Sequence, residues 1–186
     1  MSAPDQVRAF IALELDARLR EAMNELQARL RPRLGPIHLV RPEGIHLTLR
    51  FLGTTTPQQI ETMRPLLAAA ASVCPPAEVP VAGLGTFPER GSPRVLWLGL
   101  EVPPAIHDLQ RACERAALKA GFEKENRPFK AHLTLGRWRD RAPHPELPAA
   151  DLGTTHLETL VLFRSDLRPG GAVYTPLERF ALGRPE

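Results

Sequence analysis

Cysteine is scarce in this sequence. Cys74 and Cys113 are the only two in 186 residues, they form no CxxC pair, and nothing could be stapled into a disulfide framework; a reducing compartment is the default. Both read as small buried hydrophobes rather than nucleophiles. Long apolar runs are missing as well: no stretch approaches the roughly 18 residues a membrane helix needs. The start at Met1–Gln6 lacks the cationic and apolar regions of a secretory leader, so a cytoplasmic protein with no membrane role is expected. Lysine is rare, with Lys119, Lys124 and Lys130 among 24 basic residues, which reads as a coding bias toward Arg, Ala and Pro. Also absent are a Gly-rich loop ending in GK[ST], a dinucleotide-binding fingerprint and a G-x-S-x-G elbow. What remains is ordinary for a globular chain, with 43% hydrophobic and 24% charged residues and a mildly basic net charge of +3. That sign suits a polyanionic ligand but decides little.

The most informative feature is a repeat. His46-Leu47-Thr48-Leu49 recurs as His132-Leu133-Thr134-Leu135, 86 residues later. The same offset aligns residues 8–49 with 94–135 without a gap, giving nine identities in 42 positions, six of them in the last nine. Arg41-Pro42 falls on Arg127-Pro128, Gly35 on Gly121, Arg29 on Arg115 and Arg8 on Arg94. A chance match would scatter its identities; a duplication that kept a chemical site would cluster them.

Periodicity gives the elements. Residues 7–15 (VRAFIALEL) read as a buried strand. Asp16 caps a helix carrying Leu19, Met23, Leu26 and Leu30 on one face, ended by Pro32 and Gly35. Strands are expected over 37–40 and 45–52. Thr56-Pro57 opens a second helix running to about Ser72, and 78–87 is a further strand. The second half restarts at Arg94 with RVLWLGLE, then a helix bearing Ile106, Leu109, Ala112, Cys113 and Ala116, stopped by Gly121. Strands follow over 130–135, 157–165 and 172–182, with a loop over 139–153. The fold class is α+β: one domain over 1–186, built as two pseudo-twofold-related lobes around a central cleft. Each lobe, about 7–87 and about 94–186, is a small, mostly antiparallel sheet with helices on its outer face. The seam is residues 88–93 (PERGSP).

Strand alternation then places chemistry. Ile45, Leu47 and Leu49 go inward while His46, Thr48 and Arg50 face away. In the second copy Leu133 and Leu135 go inward, leaving Lys130, His132 and Thr134 on the other face. Two facing lobes would put a His and a Thr on each wall of one cleft. That suits a phosphodiester, because displacement at phosphorus runs in line and needs an acid and a base on opposite sides. The hydroxyls can hold the non-bridging oxygens. Arg50, Arg127 and Lys130 are candidates for further phosphate contacts. Trp97, Phe51, Phe129 and Trp138 could stack on bases, although core packing is favoured for Trp97 and Phe51. His38, His107, His144 and His156 have no histidine at the matching position and read as surface or structural. One good ligand per strand and no carboxylate or cysteine cluster argue against a metal.

With these residues the chain resembles the 2H phosphoesterase superfamily, and more closely its RNA 2′,3′-cyclic phosphodiesterases, also called 2′-5′ RNA ligases. The likeness runs through RAFIALEL, HLTLRFLG, PRVLWLGL, RPFKAHLTLGR and the closing LVLFRSDLRPGGAVYTPLERFAL. It implies a bilobal fold and hydrolysis of RNA 2′,3′-cyclic phosphate ends to 2′-phosphate, without metal or cofactor. It makes His46 the general acid, His132 the general base, and Thr48 and Thr134 the phosphate holders. Reverse 2′-5′ ligation would use the same displacement. RNA with a cyclic phosphate terminus is the expected partner, and the chain is expected to act as a monomer. Two other readings stay open: a non-catalytic module binding RNA ends, and a phosphodiesterase of small cyclic or 2′-5′-linked nucleotides.

Overall fold

Side chains that satisfy exposed backbone N–H groups start the first two helices. In the computed structural model, which describes residues 6–183, Asp16 accepts from the Leu19 N–H at 2.7 Å and opens α1 (Ala17–Leu30). Thr56 and Gln59 form a reciprocal capping box at the start of α2 (Pro57–Val73), with Gln59 N–H on Thr56 Oγ1 at 3.2 Å and Thr56 N–H on Gln59 Oε1 at 3.0 Å. Such caps are worth about 1 kcal/mol each. α3 (Pro104–Lys119) stops before Gly121, whose φ of +86° is the left-handed geometry glycine tolerates. Each helix buries the face its sequence spacing marks: Leu19, Met23, Leu26 and Leu30 in α1, and Ile106, Leu109, Cys113 and Ala116 in α3. Residues 1–5, most of the polar start read above, lie outside the described residues, as do 184–186.

The strands are β1 (Val7–Leu13), β2 (Ile37–Leu39), β3 (Leu47–Thr55), β4 (Ala77–Phe87), β5 (Val95–Leu100), β6 (His132–Trp138), β7 (Asp151–Leu157), β8 (Thr159–Arg168) and β9 (Gly171–Ala181). They form two antiparallel sheets, ordered β3-β1-β8-β9 and β2-β6-β5-β4-β7. The α+β class with two antiparallel sheets and three helices is as the sequence implies. The lobe boundaries are not. Each sheet mixes the two chain halves: β8 and β9 complete the sheet begun by β1 and β3, while β2 and β4 join β5, β6 and β7. The reason lies at residues 88–93. A connection this short between two strands closes a hairpin, so β4 pairs with β5 (Phe87 opposite Val95) and the presumed seam is the turn inside one sheet. The helices cross over too. α1 packs near β7, whereas α3 packs on β3 and α2 on β9 and α3.

A second correction concerns β7. Residues 139–150 lack regular structure, but the strand begins at Asp151, within the expected loop. Its sequence, DLGTTHL, buries only Thr155 and Leu157, too little alternation to announce a strand; pairing with β4 and the cap of α1 hold it instead. Asp16 Oδ2 accepts from the Thr155 hydroxyl at 2.9 Å and the His156 N–H at 3.1 Å.

One apolar cluster runs between the helices and both sheets, from Ile11, Leu13, Leu47 and Leu49 to Leu96, Leu98, Leu133 and Leu135. Truncating any one of these to alanine costs roughly 2–5 kcal/mol. β1 alternates cleanly: Ile11 and Leu13 enter this core, while Phe10 and Ala12 join Val161, Phe163 and Tyr174 in a small cluster on the opposite face. Among the described residues no helix is long and apolar enough to cross a membrane.

Candidate active site

The two repeats present their motifs on β3 and β6, which pair with β1 and β5 in the same relative way. A single cleft of about 550 Å³ is lined from both sheets by His46, Thr48, Phe51 and Tyr174 on one side and Phe87, His132, Thr134 and Arg137 on the other. Arg127 and Lys130 stand along it, from the loop before β6. A second cavity of similar size, about 560 Å³, lies between 33–36 and 141–146 and holds none of the duplicated residues. Similar volumes do not separate the two. The convergence of polar groups does.

Strand parity holds for His46, Thr48, His132 and Thr134 and then fails in both copies at one place. The ladder slips between Ile11–Arg50 and Ala12–Thr48, and again between Leu96–Gly136 and Trp97–Thr134. Each slip is a β-bulge, which reverses the face of the residues that follow it; in β3 a further slip at Leu52 restores the original facing for Thr54 and Thr55. Arg50, expected on the histidine face, is instead buried at 9% exposure, and Phe51 takes the cleft side at 54%. In the second copy Gly136 turns in and Arg137 turns out. Arg50 still borders the cleft, but its guanidinium is taken up within the protein: its Nε sits 2.5 Å from Glu114 Oε2 on α3, and its Nη1 donates to Phe51 O at 2.5 Å. Favouring Phe51 for the core fails because the bulge turns it out. Arg137 is the cleft residue the sequence reading missed; its signal was its place five residues after His132, matching Phe51 after His46.

The other aromatics divide. Trp138 is a core residue, 4% exposed, donating Nε1–H to Leu34 O at 2.9 Å. Trp97 packs on Phe87 at 5.4 Å between centroids and leaves no room for a side chain at Gly85. Phe129 lines the cleft and meets His107 edge-on at 5.6 Å. Phe87 lines it too and meets His132 edge-on at 5.1 Å. His38 and His144 are exposed, and His156 lies between Asp16 and Glu78 at 3.8 and 3.6 Å.

The two catalytic candidates differ in surroundings. His46 is 8% exposed, its ring 4.4 Å from Phe163 and near Phe10 and Tyr174. Burial, and then the charge of Arg20, push its pKa down from 6.5 to about 4, against smaller opposing effects from Gly44 and Glu14. Its Nδ1 is buried without a hydrogen-bond partner of good geometry. His132 is also lowered, by burial first, with the Lys130 carbonyl opposing and Arg137 adding to the fall. Its Nδ1 lies 2.7 Å from Lys130 O. A carbonyl only accepts, so the neutral ring carries its proton on Nδ1 and keeps a lone pair on Nε2. Lys130 reaches Glu89 at 3.5 Å, and Arg127 is paired with Glu125 at 3.1 Å, holding that carboxyl down at about 2. Among the described residues no cluster of three or more His, Cys, Asp or Glu could hold a metal ion.

Comparison with known proteins now decides the family. The family described as LigT like Phosphoesterase matches residues 13–97 and 99–174. The chain belongs to this family. Among relatives of the LigT-like chain, a Methanothermobacter thermautotrophicus protein named RNA 2′,3′-cyclic phosphodiesterase is 34% identical over 184 residues, covering 95% of this chain and all of the relative. One of the same name from Escherichia coli is 30% identical over 185 residues, covering 98% and 99%. In three dimensions the crystal structure of E. coli LigT complexed with 3′-AMP superposes with a TM-score of 0.85 at 27% identity, covering 97% of this chain and 100% of that one. TT0787 of Thermus thermophilus gives 0.81 at 32% identity, covering 94% and 97%.

Proposed function

We propose that this LigT-like phosphoesterase hydrolyses RNA 2′,3′-cyclic phosphate ends to 2′-phosphates, with two histidines as acid and base and no metal. The observation that carries the reading is the pair of His-x-Thr motifs, 86 residues apart, lining one cleft from two sheets. The shared name of the relatives supports the substrate class.

His132, with its Nδ1 proton tied to Lys130 O, turns Nε2 to water and takes a proton from it. The hydroxide oxygen attacks phosphorus, the P–O3′ bond breaks, and His46 gives its proton to the departing 3′-oxygen. The phosphate stays on the 2′-oxygen. Thr48 and Thr134 donate to the non-bridging oxygens, and Arg137, exposed beside His132, offsets their charge. A free His46 is neutral at pH 7, with its pKa at about 4. A bound phosphodiester anion supplies the negative charge that keeps the proton on it. Replacing water by a ribose 5′-hydroxyl in the same displacement, with His132 taking its proton and His46 protonating the 3′-oxygen, forms a 2′-5′ linkage. Arg127 and Lys130, both largely exposed along the cleft, bind the phosphates of the RNA chain upstream of its end.

The test is incubation with an oligonucleotide ending in a 2′,3′-cyclic phosphate, in EDTA, followed by locating the phosphate in the product. Turnover to a 2′-phosphate is expected. A 3′-phosphate, or loss of turnover in EDTA, overturns the reading; binding without turnover leaves an RNA-end-binding module.

A further inference from the structure

Beside the acid–base pair an ionic chain leads from buried Arg50 to exposed Arg127, and the proposed mechanism uses only its outer end. Arg50 sits two residues past Thr48 but behind the bulge, where it contacts three separate segments. Its Nε meets Glu114 Oε2 at 2.5 Å, its Nη1 the carbonyl of Phe51, and its Nη2 the carbonyl of Glu123. Glu114 continues the path, because its Oε1 accepts from the Glu125 N–H at 2.9 Å. Glu125 in turn accepts from the Arg127 backbone N–H at 3.0 Å, from its Nε at 3.2 Å and from its Nη2 at 3.1 Å. The chain runs from buried to open: Arg50 is 9% exposed, Glu114 16%, Glu125 28% and Arg127 81%.

Residues 122–131 have no regular structure of their own. This loop supplies Glu125, Arg127, Pro128, Phe129 and Lys130 to the cleft. A loop of this kind keeps a fixed place only through its tethers: Phe129 meets His107 and Lys130 reaches Glu89, while the stretch around Arg127 is held by the chain that starts at Arg50, on the strand that carries Thr48. The second repeat has Gly136 at the matching position, so only one side of the cleft carries the clamp.

We infer that Arg50 and Glu114 are positioning residues that fix the 122–131 loop, and with it Arg127, as the subsite for the RNA chain upstream of its reactive end. This rests on the reading of the cleft as an RNA site, though not on turnover. A buried ion pair is weak evidence for stability; this one joins β3 and α3 to the loop whose Arg127 lines the cleft.

A double-mutant cycle read by binding tests it. Affinity for a 2′-phosphate-ended oligonucleotide is measured by fluorescence anisotropy in the wild type, Glu114→Gln, Arg127→Ala and the double variant; melting temperatures and turnover of a 2′,3′-cyclic mononucleotide are measured alongside. Glu114→Gln keeps the side chain's shape, and so avoids the folding risk of cutting Arg50. The expected result is an affinity loss of about fivefold for Glu114→Gln and about tenfold for Arg127→Ala, with the double variant no weaker than Arg127→Ala alone. Mononucleotide turnover by Glu114→Gln should stay within about twofold of wild type, as that substrate has no upstream phosphate. Independent, multiplying losses overturn the inference, as does unchanged oligonucleotide affinity in Glu114→Gln. An equal loss on the mononucleotide also overturns it, because that marks a general disturbance. Absence of turnover in the wild type would instead strike the proposed reaction, and the binding cycle would still report on the clamp.

Discussion

His46, immediately before β3, and His132, the first residue of β6, occupy equivalent places in the two repeats, yet they have been given different proton affinities. Around His46 the wall is aromatic and closed: Phe10, Phe163 and Tyr174 surround the ring, Nδ1 has no well-aligned hydrogen-bond partner, and the pKa falls to about 4. Around His132 the wall is less enclosed and mixed: Phe87 meets the ring edge-on at 5.1 Å, Lys130 O holds Nδ1 at 2.7 Å, and Arg137 and Lys130 stand nearby. A duplication supplies two identical imidazoles; the strands borrowed from elsewhere make them unequal. β8 and β9, which carry Phe163 and Tyr174, come from the second half of the chain but wall in the histidine of the first. The surroundings make the pair unequal, while the acid role proposed for His46 comes from the family resemblance and needs a bound phosphate to keep its proton in place.

The largest effect that would break this division of labour is loss of either ring. His46→Ala and His132→Ala should each lower kcat by roughly 10²–10⁴-fold with the fold intact, as checked by circular dichroism. Thr48→Ala and Thr134→Ala should cost about 10²-fold or a little more, by the measure of one lost oxyanion donor. If either histidine variant kept near wild-type turnover, the two walls would not share the chemistry.

A smaller effect sharpens the closed wall against the open one. An unfolded chain takes the His46 proton near pH 6.5, while the folded chain takes it only near pH 4. The contribution is therefore whole above pH 6.5 and lost as pH falls toward 4, amounting to on the order of 3 kcal/mol. Urea midpoints at pH 7 and pH 4.5 should fall further apart in the wild type than in His46→Gln. An identical pH slope in the two proteins would contradict a desolvated ring at position 46.

The smallest concerns Arg20, whose charge lowers the His46 pKa after burial has done so. Both imidazoles titrate below 6.5 in the free protein, so the bell of kcat/KM, which reports the free enzyme, should peak below pH 6.5. Arg20→Gln should raise the His46 pKa and so move the acidic limb, which follows the lower of the two imidazoles, upward by a fraction of a pH unit. A downward or absent shift would remove Arg20 from the account.

Much of this was legible in the chain. Asp16 and Thr56-Pro57 marked helix starts because caps are local chemistry, and the structure uses both side chains as caps. The two His-x-Thr motifs reached one cleft because alternation along a short strand is also local. Alternation failed two residues later, where the bulges at Leu49-Arg50 and Leu135-Gly136 turned Arg50 inward and Phe51 and Arg137 outward. A bulge is set by how two strands pair, and a single run of residues does not display it. The lobe boundary was misplaced for a related reason: PERGSP resembles a linker in composition, but its length between two strands makes it a hairpin turn. β7 stayed invisible because its partners, β4 and the α1 cap, are remote in sequence.

The traded strands also constrain how such a chain could arise. A half-length ancestor would carry one imidazole and leave its sheet short of two strands; two copies exchanging those strands across a dyad would complete both sheets and place one imidazole on each side of a shared groove. Joining those copies end to end would free each to diverge, one toward an aromatic enclosure and the other toward a charged rim. Cut at the 88–93 turn, the chain would yield fragments that each expose a bare sheet edge and are whole only when recombined.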